Sequence, residues 1–472
     1  MSITDVKTEL IKELKIGNFF NLVEKLYLAE RESDKYLIKA ISELHAESEL
    51  NINELYKGIH LKNNINDCWI LFRIYESLLP ELEATSQEVM ECVHHLQQSS
   101  DENLTIDNIL DGFIGFCSKK QNRFKEAFAF SMDNIDKFNY LISASIIAGS
   151  SFDEKWSFEQ LKYLVTNEQP FIRQQAYYSF SQIKFKNEVS IESAFALLEK
   201  CNLVEKHYAA KISLFRAIIH FGNKYSNLWE RIEVILDTLL KEPNTDLLYA
   251  VSNVVAFNRQ CIPDSVTFKL INFLKNTTSE QTNVFSNISH LLKKLLENKN
   301  YECIEDILEC LLNKDIRITE FGYFNRELLN NEKYYLNRIV TKWFLSGNSN
   351  LCLAVHDLLN DVRVRNIEIN VEPKQIGISS EAPYFLAKKA VGWLFSKPII
   401  TASFILSIIE IISQEQKEEL SKLLFDPLLI SYSGELREYL EGIQTNSVSI
   451  IEAIQLSIKQ LDSYFDGLKN AW

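Results

Sequence analysis

The strongest constraint on this chain is a recurrence in its middle third. Four stretches with one apolar layout start near Pro170, Glu205, Thr245 and Gln281, at intervals of about 35 to 40 residues. Four more, starting near Ser190, Ser226, Pro263 and Tyr301, alternate with them at a similar interval. Two kinds of helix alternating at such a period are the pattern of stacked helical hairpins. Each unit is too small to bury its own apolar face and must lean on its neighbours. An array of that kind offers a long binding surface rather than one enclosed pocket.

The composition agrees. Hydrophobic residues make up 46% of the 472 positions and include 29 Phe and 19 Tyr, enough for a continuous core. With only 13 Gly and 8 Pro, turn-rich all-β folds are disfavoured and long runs of helix are favoured. The net charge of −14 is concentrated early, since residues 1–110 hold 20 Asp or Glu against 10 Lys or Arg. An acidic surface repels phosphates and anionic lipid heads, which argues against broad nucleic-acid or membrane binding.

The eight cysteines are scattered through apolar runs without a Cys-x-x-Cys, as expected for small buried side chains in a reducing compartment. The start of the chain mixes acids with Lys and lacks the apolar core of a signal peptide, so a cytoplasmic protein is expected. The most apolar run, Ile399 to Ile412, contains Glu410 and falls short of the roughly 20 residues a membrane span needs, so it reads as a buried core helix.

Helical periodicity and polar breaks divide the chain into an acidic N-terminal helical region (1–130), repeats (131–360), an insertion (361–383) and further helical repeats with an amphipathic capping helix (384–472). Aligning the repeats puts Ala144, Ala176, Ala210, Ala250 and Ser286 in one column. Four positions later stand Ala148, Phe180, Leu214, Val254 and His290, on the same helix face. That column is expected to form the seam between units. Gly112 and Gly115, inside an apolar run, are expected to permit close helix packing. The insertion alternates through Val362, Arg363, Val364, Arg365 and then Ile367, Glu368, Ile369, Asn370, Val371, the period of two of a strand or hairpin.

The stretch from Pro170 to Ile183, with Arg173 and Ala176 three residues apart, resembles the second helix of a HEAT repeat. The resemblance covers about residues 130–320, and it implies an all-α, right-handed superhelical α-solenoid with a concave partner-binding face. In HEAT repeats the residue matching Arg173 commonly joins a polar ladder between units. The other columns hold His207, Leu247 and Asn283 there, so no continuous ladder is expected.

Catalytic signatures are sparse. His356-Asp357 is similar to the pair that holds metal in HD phosphohydrolases, but metal chemistry needs further His and Asp ligands, and the remaining histidines do not form the ordered series. Cys92, His94 and His95 diverge around a helix and read as a polar edge. No phosphate-binding glycine loop, nucleophile elbow or zinc-protease motif occurs.

The chain is therefore expected to be a non-enzymatic scaffold or adaptor, a subunit of a larger complex that requires no cofactor, metal or small-molecule substrate. Its expected partner is a protein with an acidic contact surface, and the contact residues are Arg363, Arg365, Lys388 and Lys389. The alternative is a nucleic-acid-binding subunit of an effector complex, by analogy a bacterial defence system. It would use the basic patch from Arg363 to Lys397 with Tyr384, Phe385 and Trp393 interleaved.

Overall fold

Twenty-eight α-helices and no strand occur among the described residues of the computed structural model, which are 2–30, 36–59, 65–99, 107–257, 261–360, 367–376 and 381–470. About 80% of the chain is helical. Local chemistry sets many helix starts. The Asn51, Asp153 and Asn187 side chains each accept from the backbone N–H three residues on, and Pro170 and Pro398 occupy first turns, where the missing N–H is not needed. After helix Lys333–Ser346, Gly347 supplies the left-handed residue, at φ 66°, that ends it.

The chain divides into two compact units, Met1–Lys241 and Glu242–Trp472. In the first, helix Leu141–Ser150 packs on Pro170–Gln182, which packs on Tyr208–Lys224; helices Glu154–Leu164 and Glu188–Val204 alternate with them. In the second, Thr245–Phe257 packs on Thr282–Glu297 and that on Gly322–Asn331. In both units a helix thus packs on its next-but-one neighbour. The eight expected starts all fall within a turn of an observed helix start, as at Pro170, Thr245 and Tyr301.

Ala144, Ala176 and Ala210 are buried in the first unit, as is Ala250 in the second. Ser286 is not; it is exposed. In helix Thr282–Glu297 the buried positions around it are Val284, Phe285, Asn287, Ile288 and Ser289, followed by Leu291, Leu292, Leu295 and Leu296, and Asn287 Nδ2 donates to Ser252 Oγ at 3.0 Å. The seam has moved by one residue, which on a helix is a rotation of about 100°. Glycine permits a close approach of backbones in the first unit. A Cβ on Gly112 would lie 2.7 Å from the Glu76 carbonyl oxygen and 2.9 Å from its Cα, so helices Asp107–Cys117 and Ile65–Leu78 meet backbone to backbone.

Polar side chains join segments 32 to 39 residues apart in sequence. Arg173 grips Glu205 through Nε and Nη2 at 2.7 and 2.8 Å, 32 residues on. Arg231 holds Glu199 and Glu192, 32 and 39 residues back. In the second unit Arg338 and Lys342 both bind Glu305, 33 and 37 residues back, and Trp343 Nε1 donates to Glu309. A second device closes helix ends. Lys224 donates to the carbonyls of Ser181 and Ile183 at 2.6 and 3.2 Å, and Lys294 does the same to Ala256. Each ammonium meets the unpaired carbonyls and negative end of a neighbouring helix.

The β-like insertion is corrected. Residues 361–366 and 377–380 lie outside the described residues, 367–372 form neither helix nor strand, and Pro373–Ile376 is a short helix. Helix Pro398–Ile411 is buried on nearly every side, as expected for a core helix. Among the described residues no helix is long and apolar enough to cross a membrane. Cys92, Cys117, Cys201, Cys303 and Cys352 are buried and Cys310 partly so, whereas Cys261 is exposed. Burial pushes the Cys92 thiol up to about 12 and that of Cys201 to about 11, so neither supplies a thiolate at neutral pH.

Candidate functional site

The most unusual local arrangement is the extended segment 367–372, laid between helices Lys333–Ser346 and Pro398–Ile411 of the second unit. Its backbone N–H groups donate alternately to the two helices. Ile369 and Val371 donate to Ser403 Oγ and Ser407 Oγ at 3.1 and 2.8 Å. Asn370 and Glu372 donate to Asn337 Oδ1 and Thr341 Oγ1, both at 3.0 Å. Each helix contributes a pair four residues apart, so both members of a pair share a face. Ile369 and Val371 are buried, while Glu368 and Asn370 face outward.

The hydroxyls suit this task because their own protons are spent locally. Ser403 lies 2.9 Å from its nearer acceptor, Ile400 O, and 3.3 Å from Ile369 O, while Ser407 donates to Phe404 O at 2.7 Å and Thr341 to Asn337 O at 2.8 Å. Their outward lone pairs are then free to accept. Without these acceptors the buried N–H groups of the segment, that of Ile369 above all, would be left unsatisfied at a cost of about 1–3 kcal/mol each. The period of two in the sequence does not form a strand here. The segment's hydrogen-bond partners are helix side chains instead of a second strand.

Beside this segment lies a cleft of about 320 Å³, walled by Leu406, Ile443 and Ile450 with Glu368, Glu410 and Tyr439 also lining it. The Tyr439 hydroxyl donates to Glu368 Oε1 at 3.3 Å. Burial first, and then the Glu368 charge, push its pKa well up, so the phenol stays a donor. Among the described residues Glu410 has no ion pair or hydrogen-bond partner for its side chain.

The residues expected to contact a partner fall into two groups. Arg363 and Arg365 lie outside the described residues. Lys388 and Lys389 stand on helix Ala382–Leu394, with ammonium groups 4.4 Å from the Tyr384 ring and 5.2 Å from the Phe385 ring. Lys388 is exposed and Lys389 half-buried, and neither pairs with a carboxylate among the described residues. Both cations remain available to an acidic surface.

The His356-Asp357 pair has another use. Arg317 takes both Asp357 oxygens at 2.6 and 2.8 Å across 40 residues, and His356 Nδ1 lies 3.3 Å from one of them. A carboxylate engaged in this way links two segments of the chain. Among the described residues no group of three or more His, Cys, Asp or Glu could hold a metal ion. His94 contacts Phe138 and Tyr140, and burial is the main cause of its lowered pKa, followed by Lys137 and His95.

The sequence reading missed Asn337, Thr341, Ser403, Ser407 and the cleft beside them. One signal was present: Ser403 and Ser407 are polar residues four apart inside the most apolar run of the chain. Comparison with family models, with curated proteins and with solved structures finds no match for this chain.

Proposed function

We propose that the chain is a HEAT-like α-solenoid scaffold that binds a protein partner and takes part in a larger assembly without catalysing a reaction. The observation that carries this reading is the extended segment 367–372, a length of polypeptide held between two helices through its backbone. Recognition through backbone N–H groups tolerates many side chains, and pockets for alternate residues add selectivity. Polar links at intervals of 32 to 37 residues, such as Arg173 with Glu205 and Lys342 with Glu305, support the stacked-hairpin architecture. Such arrays expose long surfaces at little cost in stability. Lys388 and Lys389, free of carboxylate partners among the described residues, mark one place where an acidic partner surface would rest.

The test is a quantitative pull-down with the tagged full chain and its Lys388→Glu, Lys389→Glu variant, alongside thermal unfolding of both. The expected result is a co-purifying protein lost at least tenfold from the variant while the unfolding temperature is unchanged. Retention of every co-purifying protein by the variant removes the lysines from the interface. Capture of nucleic acid with an affinity that falls steeply with salt replaces the protein-scaffold reading altogether.

A further inference from the structure

The geometry points to the cleft beside segment 367–372 as a receptor for a single basic side chain, lysine or arginine, carried by an extended segment of the partner. This deepens the scaffold reading and rests on it. Three observations combine. The first is size. At about 320 Å³ the cleft sits at the bottom of the range for small-molecule sites, so it suits one long side chain better than a cofactor.

The second is the wall. Leu406, Ile443 and Ile450 present an aliphatic surface, and Ile411, which also lines the cleft, is 44% exposed. An alkyl stem would cover that surface. Lysine and arginine carry such a stem beneath a charged head, and they routinely lay it along apolar side chains while the head reaches polar partners.

The third is charge. Among the described lining residues Glu368 and Glu410 are the only ionisable side chains besides Tyr439, and none is a cation. Glu368 accepts from the neutral Tyr439 hydroxyl, and Glu410 has no side-chain partner among the described residues. Lys374 is exposed in the short helix Pro373–Ile376 and is not among the lining residues. Two carboxylates over an apolar floor complement an ammonium or a guanidinium, and they repel an acidic residue. The neighbouring chain shows what the rest of the partner would look like, since residues 367–372 already lie extended along the same helix Pro398–Ile411.

The experiment uses three acetylated, amidated pentapeptides in which valine alternates with lysine, norleucine or glutamate. Each is titrated into the full chain carrying 13C-labelled isoleucine δ1 methyl groups. The lysine peptide is expected to shift the methyl resonances of Ile411, Ile443 and Ile450 and to bind at least tenfold more tightly than the other two. The Glu368→Gln, Glu410→Gln variant should lose that advantage, and Glu418→Gln, Glu419→Gln, which changes exposed carboxylates outside the cleft, should keep it.

Equal binding of the norleucine and lysine peptides overturns the inference while leaving a peptide groove in place. Shifts spread over isoleucines outside the cleft, or an advantage that survives in Glu368→Gln, Glu410→Gln, overturn it as non-specific attraction to an acidic protein. Absence of all binding, with the lysine-dependent pull-down intact, overturns it and spares the scaffold reading. The methyl shifts are read in the unmodified chain, so they decide the matter even if a variant is poorly folded.

Discussion

Replacing Glu205 by alanine should be among the most damaging single changes in the first unit. Its side chain is 1% exposed and accepts from Arg173 Nε and Nη2, from the Tyr177 hydroxyl at 3.1 Å and from the His207 N–H at 3.0 Å. Alanine leaves Arg173 Nε and Nη2, a phenol and a backbone N–H without their acceptor and strips the guanidinium of its counter-charge, while Nη1 keeps the Asn167 and Glu168 carbonyls. Removing one partner of a buried ion pair costs about 3–5 kcal/mol, mostly through the charge left behind. For a unit of this size that is a fall of roughly 10 °C in its unfolding temperature. The double change Arg173→Met, Glu205→Ala should recover at least ~2 kcal/mol of the loss, because no orphaned charge remains.

Calorimetry gives the unfolding temperatures, and hydrogen exchange in helices Pro170–Gln182 and Tyr208–Lys224 localises the effect. The pH dependence offers a second reading. Burial alone would raise the Glu205 pKa, but the bonds from Arg173, His207 and Tyr177 outweigh it and hold the group below the usual carboxylate value of 4.5. A depressed carboxylate stabilises the native state above its unfolded pKa and loses that contribution as pH falls through the folded one. The native chain should therefore lose stability below about pH 4.5 more steeply than Glu205→Gln. A cost under ~1 kcal/mol for Glu205→Ala, or strictly additive single changes, would refute the reasoning.

Two further changes probe the packing. Lys224, whose pKa burial and then Lys184 lower to about 8, should make the native chain gain stability relative to Lys224→Met as pH rises from about 8 to 10.5, and show no such trend below. Partial solvent screening keeps that gain to about 1 kcal/mol, and chemical denaturation across the interval measures it. Ala210→Leu should cost about 1–3 kcal/mol by overpacking a fully buried site, whereas Lys211→Ala one residue away should change little. Equal unfolding temperatures for those two variants would remove Ala210 from the seam.

What the sequence made legible followed from period. Apolar recurrence located the alternating helices because burial against a neighbouring helix dictates it locally, and the same logic identified Ala144, Ala176, Ala210, Ala250 and the glycine at 112. Ser286 departed because one residue of drift turns a side chain out of the seam, and only the Asn287 contact with Ser252 reveals it. Polar partners were harder to read. Arg173 was singled out, but its acceptor Glu205 lies beyond the end of helix Glu188–Val204 instead of in the aligned column, and Asp357 meets an arginine 40 residues upstream. The alternation from Val362 to Val371 suggests a strand or hairpin that is not seen among the described residues. Nothing local could say that two helices, one before it and one after it, would take the place of a sheet.

The polar links at short, regular sequence intervals have a consequence for synthesis. Arg173 needs only the next 32 residues to find its partner, and Ile369 finds Ser403 only 34 residues later. Structure of such low contact order does not wait for a distant terminus. A chain emerging from the ribosome can complete one hairpin while the next is still being translated, so a stalled or truncated product would expose little more than its last unfinished seam.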